Sequence, residues 1–119
     1  MVDKRNTRRQ TALHIACAAR HREVVDLLLE QGADIAAKTD SLVSVLHCAA
    51  TGGNEDVVRA ILSAGALVNA RDDSSSTPLH SACMRGNVAA IRQRYSAGAD
   101  TVATDIRKRT PVDVIGKPA

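Results

Sequence analysis

The sequence predicts an all-α fold in which helix-turn-helix units stack into a solenoid and project β-hairpin-like loops. A Leu-His pair recurs in two steps of 33 residues, at His14, His47 and His80. A Gly-Ala pair keeps the same two steps, at Gly32, Gly65 and Gly98. Two independent landmarks with one period indicate a structural repeat. Tyr95 is the only aromatic residue, and a core of small aliphatic side chains suits thin helical layers.

The first repeat consists of two short predicted helices that follow a polar, basic arm. Leu13, Ala16 and Cys17 have the i, i+3, i+4 spacing that predicts a helix over residues 12–19. A second helix begins at Arg22 and is apolar over more than half of its circumference. It ends at Gly32, because glycine suits the left-handed position that follows a helix. Such a helix needs cover on two sides, which neighbouring repeats would provide.

The same pair of helices recurs along the chain. The second repeat predicts helices over residues 45–51 and 55–64, and the third over residues 78–85 and 88–97. Segments 36–43 and 69–76 are rich in Asp, Ser and Thr, which predicts extended arms joined by a tight turn. A fourth repeat begins near Asp105 and contains one short helix. At 119 residues we expect a single domain over 1–119, with repeats near 6–38, 39–71 and 72–104 and a partial one at 105–116.

These motifs resemble the ankyrin repeat, a helix-turn-helix unit of the same length. The resemblance covers about residues 6–116 and is carried by three segments: TPLHSAC at 77–83, GADI at 32–35 and GALVNA at 65–70. It implies stacked L-shaped units whose projecting tips and first helices form a concave face. It also implies that the histidines of the Leu-His pairs hold hydrogen bonds between neighbouring repeats.

The sequence departs from the family's pattern at the projecting tips. A glycine usually lies two residues before the Thr of Thr-Pro-Leu-His, but the chain has other residues there: Arg9, Leu42, Ser75 and Lys108. Arg20 replaces the glycine between the first two helices. Either these residues are strained at positive φ or the tips adopt another turn. In the third repeat Arg94 stands where Leu28 and Ile61 should be buried, and we interpret it as reaching solvent from a weak terminal layer.

Charge is divided unevenly along the chain. Residues 1–22 contain six basic residues and one acidic residue. Residues 23–84 contain three basic and nine acidic residues, and residues 85–119 contain seven basic and three acidic residues. There is no apolar run of a length that spans a membrane and no secretory signal, so we expect no membrane association. The three cysteines fit apolar helix positions and predict reduced thiols. We therefore expect an intracellular protein, cytoplasmic, with the nucleus left open.

The candidate chemistry is limited to two His-Cys pairs at i, i+3 spacing. His14 with Cys17 and His80 with Cys83 could in principle activate a nucleophile or bind a metal. Both pairs recur with the structural repeat, however, and equivalent side chains of successive repeats lie about one helix diameter apart, roughly 10 Å. No phosphate-binding glycine loop or zinc motif is present. We therefore predict no enzyme activity, no metal and no cofactor.

Nucleic-acid binding is an alternative that the basic ends leave open. Lys4-Arg5, Arg8-Arg9 and Arg107-Lys108-Arg109 are basic clusters at arm or tip positions. Aromatic platforms for bases are absent, so we favour solubility or an acidic protein partner as the role of these clusters. Apolar residues between Leu13 and Leu29 also lack a preceding layer. Either the natural chain is longer or copies associate weakly end to end.

The favoured function is a non-catalytic adaptor, scaffold or inhibitor that binds another protein through the concave face. The resemblance places a first group of binding residues at the tips: Thr7, Arg8, Gln10, Asp40, Ser41, Val43, Asp73, Ser74, Ser76, Ile106, Arg107 and Arg109. It places a second group on the first helices: Ala18, Ala19, Thr51, Gly52, Met84 and Arg85. Met84 and Val43 are the expected apolar anchors of a surface that is otherwise polar.

Overall fold

The computed structural model describes residues 5–6, 9–86 and 98–114, and within them it contains five α-helices and no strand. Helices α1 (Ala12–Ala18) and α2 (Arg22–Glu30) form the first pair, and α3 (Val45–Gly52) and α4 (Glu55–Ser63) the second. Helix α5 (Pro78–Arg85) begins the third repeat, and a 3-10 turn at Val112–Val114 lies in the fourth. The predicted all-α solenoid of stacked repeats is confirmed. The predicted helix at 88–97, with Arg94, lies outside the described residues.

The first helices begin with a repeated capping arrangement. The hydroxyl of Thr11, Ser44 or Thr77 accepts the backbone N–H of a histidine three residues later, and that histidine accepts the N–H of the capping residue in return. Two backbone donors at the helix start are thereby satisfied. Gly32 and Gly65 follow the second helices at φ of +82° and +95°, the left-handed conformation that the sequence predicts for Gly32. The amides of Gly32 and Ala33 donate to the carbonyls of Leu29 and Leu28, which is a Schellman motif.

Each of these histidines also bridges two repeats. The Nε2 atoms of His14, His47 and His80 lie 3.1, 2.7 and 2.8 Å from carbonyl oxygens 29 residues later in the chain. Their Nδ1 atoms accept backbone N–H groups within their own repeats, at 3.2, 3.2 and 3.1 Å. Because a carbonyl only accepts, Nε2 carries the proton and the ring is neutral. The histidines therefore hold the network between repeats that the resemblance implies.

The core runs between the helix layers and consists mainly of aliphatic side chains. One cluster joins the first two repeats and reaches Ala82 of α5. A smaller cluster consists of Leu79, Cys83 and Val114. Full burial of a leucine or isoleucine stabilises the fold by about 1.5–3 kcal/mol. Gly52 allows α3 to approach α1 closely, since an added Cβ would lie 2.6 Å from the carbonyl oxygen of Cys17.

The first repeat has an uncovered outer face. Val24 is 46% exposed, whereas Val57, one repeat later, is fully buried. Ile15 and Leu27 on the same two helices are also half exposed, at 50% and 55%. A layer stacked in front of the first repeat would cover Val24 as the first repeat covers Val57. Weak end-to-end association of copies, which would supply such a layer, stays a prediction.

The tips keep their turn although glycine is missing. Arg9, Leu42, Ser75 and Lys108 have φ values of +60°, +62°, +58° and +61°, and Arg20 has φ of +65°. Of the two outcomes that the sequence leaves open, strain at positive φ is the one observed. The left-handed conformation costs a residue with a Cβ about 1–2 kcal/mol. The tips hold it because both ends of each turn are fixed by hydrogen bonds.

We expect Leu42→Gly to raise the free energy of unfolding by about 0.5–1 kcal/mol, because relief of left-handed strain exceeds the entropy that glycine adds to the unfolded chain. Urea denaturation measures the change. Leu42→Ala is the matched control, since it removes the same exposed side chain but keeps the Cβ. If the alanine variant gained as much as the glycine variant, the strain would not be the cause.

Stability should also fall on mild acidification because of His14. Burial, the largest cause, lowers the pKa of this imidazole below its ordinary value of 6.5. Near pH 6.5 the unfolded chain therefore binds a proton at His14 more readily than the folded protein does. The contribution of His14 to the free energy of unfolding is complete above that pH and declines below it. We expect His14→Gln to weaken this dependence, as measured by urea midpoints at neutral pH and at about pH 5. His21→Gln is the control, because its ring is exposed and caps no helix; equal pH dependence in both variants would contradict the assignment.

Candidate functional site

The predicted binding residues that the structure describes lie at the tips and at the ends of the first helices. Within the described part of the chain none of them is buried. Ala18, Ala19 and Arg85 are exposed at the ends of α1 and α5, and Thr51 and Gly52 are half-buried at the end of α3. Thr7 and Arg8 lie outside the described residues. The contact of Gly52 with α1 gives that residue a packing role in addition to its place on this surface.

A polar residue at the base closes each tip. The Asp72 carboxylate accepts the backbone N–H groups of Ser74 and Ser76, both at 2.9 Å. The Asp105 carboxylate does the same for Arg107 and Arg109. In the second repeat the Thr39 hydroxyl accepts a single N–H at 3.2 Å. These bonds hold the tips in fixed turns, so the exposed side chains stand on a rigid frame.

Neighbouring tips are joined through their backbones. The Asp73 N–H donates to the carbonyl of Ser41 at 2.9 Å, and the Ile106 N–H donates to that of Ser74 at 2.8 Å. Arginine side chains add bonds between the first and second tips and between the third and fourth. Arg5 donates to the carbonyl of Lys38 at 2.7 Å, and Arg71 donates to that of Thr104 at 2.8 Å. The tips therefore form a continuous row rather than independent loops.

The N-terminal groove lies between the first and second tips and has a volume of about 380 Å³. Its lining residues are Gln10, Thr39, Asp40, Ser41 and Val43. All of them except Thr39 belong to the predicted binding set. Asp40 is exposed and lies 3.9 Å from the Arg9 guanidinium, a loose surface ion pair. The groove is therefore mainly polar, with Val43 as its apolar element.

The C-terminal groove lies between the third and fourth tips and has a volume of about 270 Å³. It is lined by the predicted residues Ser74, Ser76, Met84, Ile106, Arg107 and Arg109, together with Asp72, Ser81 and Asp105. Met84 is half-buried, and Ile106 is 69% exposed on the rim. This groove therefore combines two apolar side chains with several hydroxyl groups and two arginines.

Asp105 fixes one side of the C-terminal groove. Its side chain is nearly buried, and its carboxylate lies 2.9 Å from the Arg109 guanidinium. Burial alone would raise the pKa of Asp105, but the N–H groups of Arg109 and Arg107 and the Arg109 guanidinium together hold that pKa below its ordinary value. Arg109 is thus engaged inside the protein, and Arg107 is the arginine of this tip that faces solvent.

Sequence reasoning missed the residues at the bases of the tips. Thr39, Asp72 and Asp105 line the grooves and lie at equivalent positions, 33 residues apart. Each of these short polar side chains lies three residues before the left-handed residue of its tip. That position was a usable signal, because short polar side chains often cap nearby backbone groups.

A third cavity of about 150 Å³, bordered by Lys38, Leu46 and Leu67 among others, contains none of the predicted binding residues.

The His-Cys pairs lack the properties of a reactive site. Burial raises the pKa of the Cys17 thiol to about 12 and also raises that of Cys83, so the thiolate nucleophile is disfavoured at neutral pH. Both ring nitrogens of His14 and His80 are engaged in structural hydrogen bonds. Across the residues that the structure describes, no group of three metal-ligating side chains comes together. No helix among them is long and apolar enough to span a bilayer.

Comparison with known proteins agrees with the repeat architecture. A family profile described as "Ankyrin repeat" matches residues 8–40, and one described as "Ankyrin repeats (many copies)" matches residues 46–92. The two matches together cover more than half of the chain. A search of curated proteins found no match. Ankyrin repeats are in general protein–protein interaction modules and are typically non-catalytic. With its 33-residue period, capped helix pairs and linked tips, the chain belongs to the ankyrin repeat family.

Proposed function

We propose that the protein is a non-catalytic adaptor, scaffold or inhibitor that binds a partner protein through the row of tips and the two grooves beside it. The observation that carries this proposal is the position of the grooves. Both open between neighbouring tips, and most of the residues that line them belong to the predicted binding set. A rigid frame with exposed side chains binds without a large loss of conformational entropy.

The state of the basic clusters favours protein over nucleic acid. In the N-terminal cluster Arg5 bonds to two carbonyls, those of Arg9 and Lys38, and Arg9 lies beside Asp40. At the other end Arg109 pairs with Asp105, whereas Arg107 and Lys108 of that cluster are exposed and form no ion pair with a described residue. Engaged arginines contribute less to phosphate binding, which depends on the number of contacts with free cations. Binding to nucleic acid or another acidic surface remains the second candidate, and it predicts a steep loss of affinity with salt.

An intracellular site of action is part of the same proposal. Burial raises the pKa of all three cysteine thiols and keeps them in the unreactive form. Such thiols suit a reducing compartment.

A cross-linked pull-down from the source cells tests the proposal. The groove variant combines Met84→Ala, Arg85→Glu and Arg107→Glu. The control variant combines Leu67→Ala and Lys38→Glu, which are the same kinds of change at exposed positions outside both grooves. We expect wild type and the control to retain a partner protein and the groove variant to lose about tenfold or more of it, since loss of anchor side chains acts mainly at the centre of an interface.

Circular dichroism and thermal melting establish that both variants fold. Equal capture by the groove variant and the wild type would show that the tip row does not bind the partner. Recovery of nucleic acid alone, with a steep salt dependence, would favour the second candidate.

A further inference from the structure

We propose that the C-terminal groove binds an extended peptide segment that carries an aliphatic side chain beside acidic residues. This inference rests on the proposed function and names the class of partner. The proposed contacts come from six residues that line this groove: Met84, Ile106, Ser74, Ser76, Ser81 and Arg107.

The apolar part of the groove supplies the anchor. Met84 is half-buried on its floor and Ile106 is 69% exposed on its rim, so both have apolar surface left to cover. Because both side chains are aliphatic, they offer no ring on which an aromatic side chain could stack. The flexible Met84 side chain adapts to the shape of a leucine, isoleucine or valine. An aliphatic side chain of the partner would remove both surfaces from water.

Of the two acidic groups in the groove, Asp105 is neutralised by a cation of the protein itself. Asp72 accepts two backbone N–H groups, and Asp105 accepts two N–H groups and the Arg109 guanidinium. Asp105 is therefore not available to a ligand, whereas Asp72 keeps its negative charge. The net charge that a ligand meets depends on the cations that stand beside Asp72 on this surface.

Three basic side chains supply these cations. Arg85, Arg107 and Lys108 are exposed, and none forms an ion pair with any residue in the described ranges. Arg107 belongs to the groove, Lys108 follows it on the same tip, and Arg85 ends the helix that carries Met84. A carboxylate placed here gains charge-assisted hydrogen bonds, which are stronger than neutral ones. The charge complementarity is with an acidic ligand.

The serines favour a peptide backbone as the ligand. The side chains of Ser74, Ser76 and Ser81 make no hydrogen bond to the residues that the structure describes. Each hydroxyl both donates and accepts, so together they match the alternating N–H and C=O groups of an extended chain. A nucleic acid would instead require stacking surfaces for its bases, and none of the described residues that line this groove is aromatic.

The tip row also gives the bound segment a direction. The equivalent positions on the second, third and fourth tips are Asp40, Asp73 and Ile106. Asp40 and Asp73 are exposed acids, whereas the fourth tip presents Arg107 and Lys108. We therefore expect the acidic residues of the segment to lie over the fourth tip and any basic residue to lie toward the second and third tips.

Selection from a random peptide library displayed on phage tests the proposal with the wild-type chain as bait. We expect enriched peptides to share an aliphatic residue flanked by Asp or Glu. A synthetic peptide of the enriched sequence is then measured by fluorescence anisotropy. Arg107→Glu should lower its affinity about tenfold or more, and Ile106→Ser should also lower it, because charge and anchor are lost separately. Lys38→Glu, the same charge change outside the groove, should leave the affinity unchanged.

Three results would overturn the proposal: enrichment of basic or aromatic peptides, no enrichment over an Arg107→Glu bait, or equal affinity of Arg107→Glu and wild type for the selected peptide. The pull-down with the groove variant separates this failure from that of the proposed function. If the groove variant loses its protein partner while the library result is negative, the partner class is wrong and the binding surface stands. If the groove variant also keeps its partner, the binding surface itself is wrong.

Discussion

The imidazole ring of each Leu-His pair connects one repeat to the tip of the next. Nδ1 accepts the N–H of a capping Thr or Ser, and Nε2 donates to a tip carbonyl of Val43, Ser76 or Arg109. One neutral side chain therefore sets the start of a helix and the position of the following tip together. Since burial opposes protonation of His14, the arrangement is held in the form that can make both bonds. The spacing of the tips, and hence of the grooves between them, follows from this contact.

The tips show how such constraints act on local conformation. Leu42, an exposed aliphatic residue, adopts φ of +62° where glycine would be unstrained. The tip holds Leu42 at positive φ through three contacts of its neighbours. The Lys38–Ser44 bridge closes the arms, the Thr39 hydroxyl accepts the Val43 N–H, and the Val43 carbonyl accepts a hydrogen bond from His14. Local strain of about 1–2 kcal/mol is small beside the contacts that depend on the turn. The same backbone can therefore present a leucine, a serine, an arginine or a lysine at its most prominent point.

The sequence predicted the helical frame well because periodicity and caps are local signals. Helix α5 has its predicted limits, and the ends of α1, α3 and α4 differ from prediction by one residue. The sequence could not decide whether Leu42 would keep the left-handed turn, since that depends on hydrogen bonds formed only when the tip is closed. It also missed Asp72 and Asp105 as groove residues. Their carboxylates look like free surface charge in the sequence, and only the folded tip shows that backbone N–H groups and Arg109 occupy them.

Stability and recognition depend on different atoms of the same tip residues. The carbonyl oxygens of Ser41 and Ser74 link neighbouring tips, and the carbonyl oxygen of Ser76 accepts a hydrogen bond from His47. These bonds use the backbone, which every residue has, so the side chains at such positions are free to change with little cost to the fold. This explains how the row passes from the acids Asp40 and Asp73 to the basic fourth tip without a change of geometry. Because the backbone bonds fix where each side chain stands, a partner of the proposed binding surface would be selected by the charge and shape of those side chains.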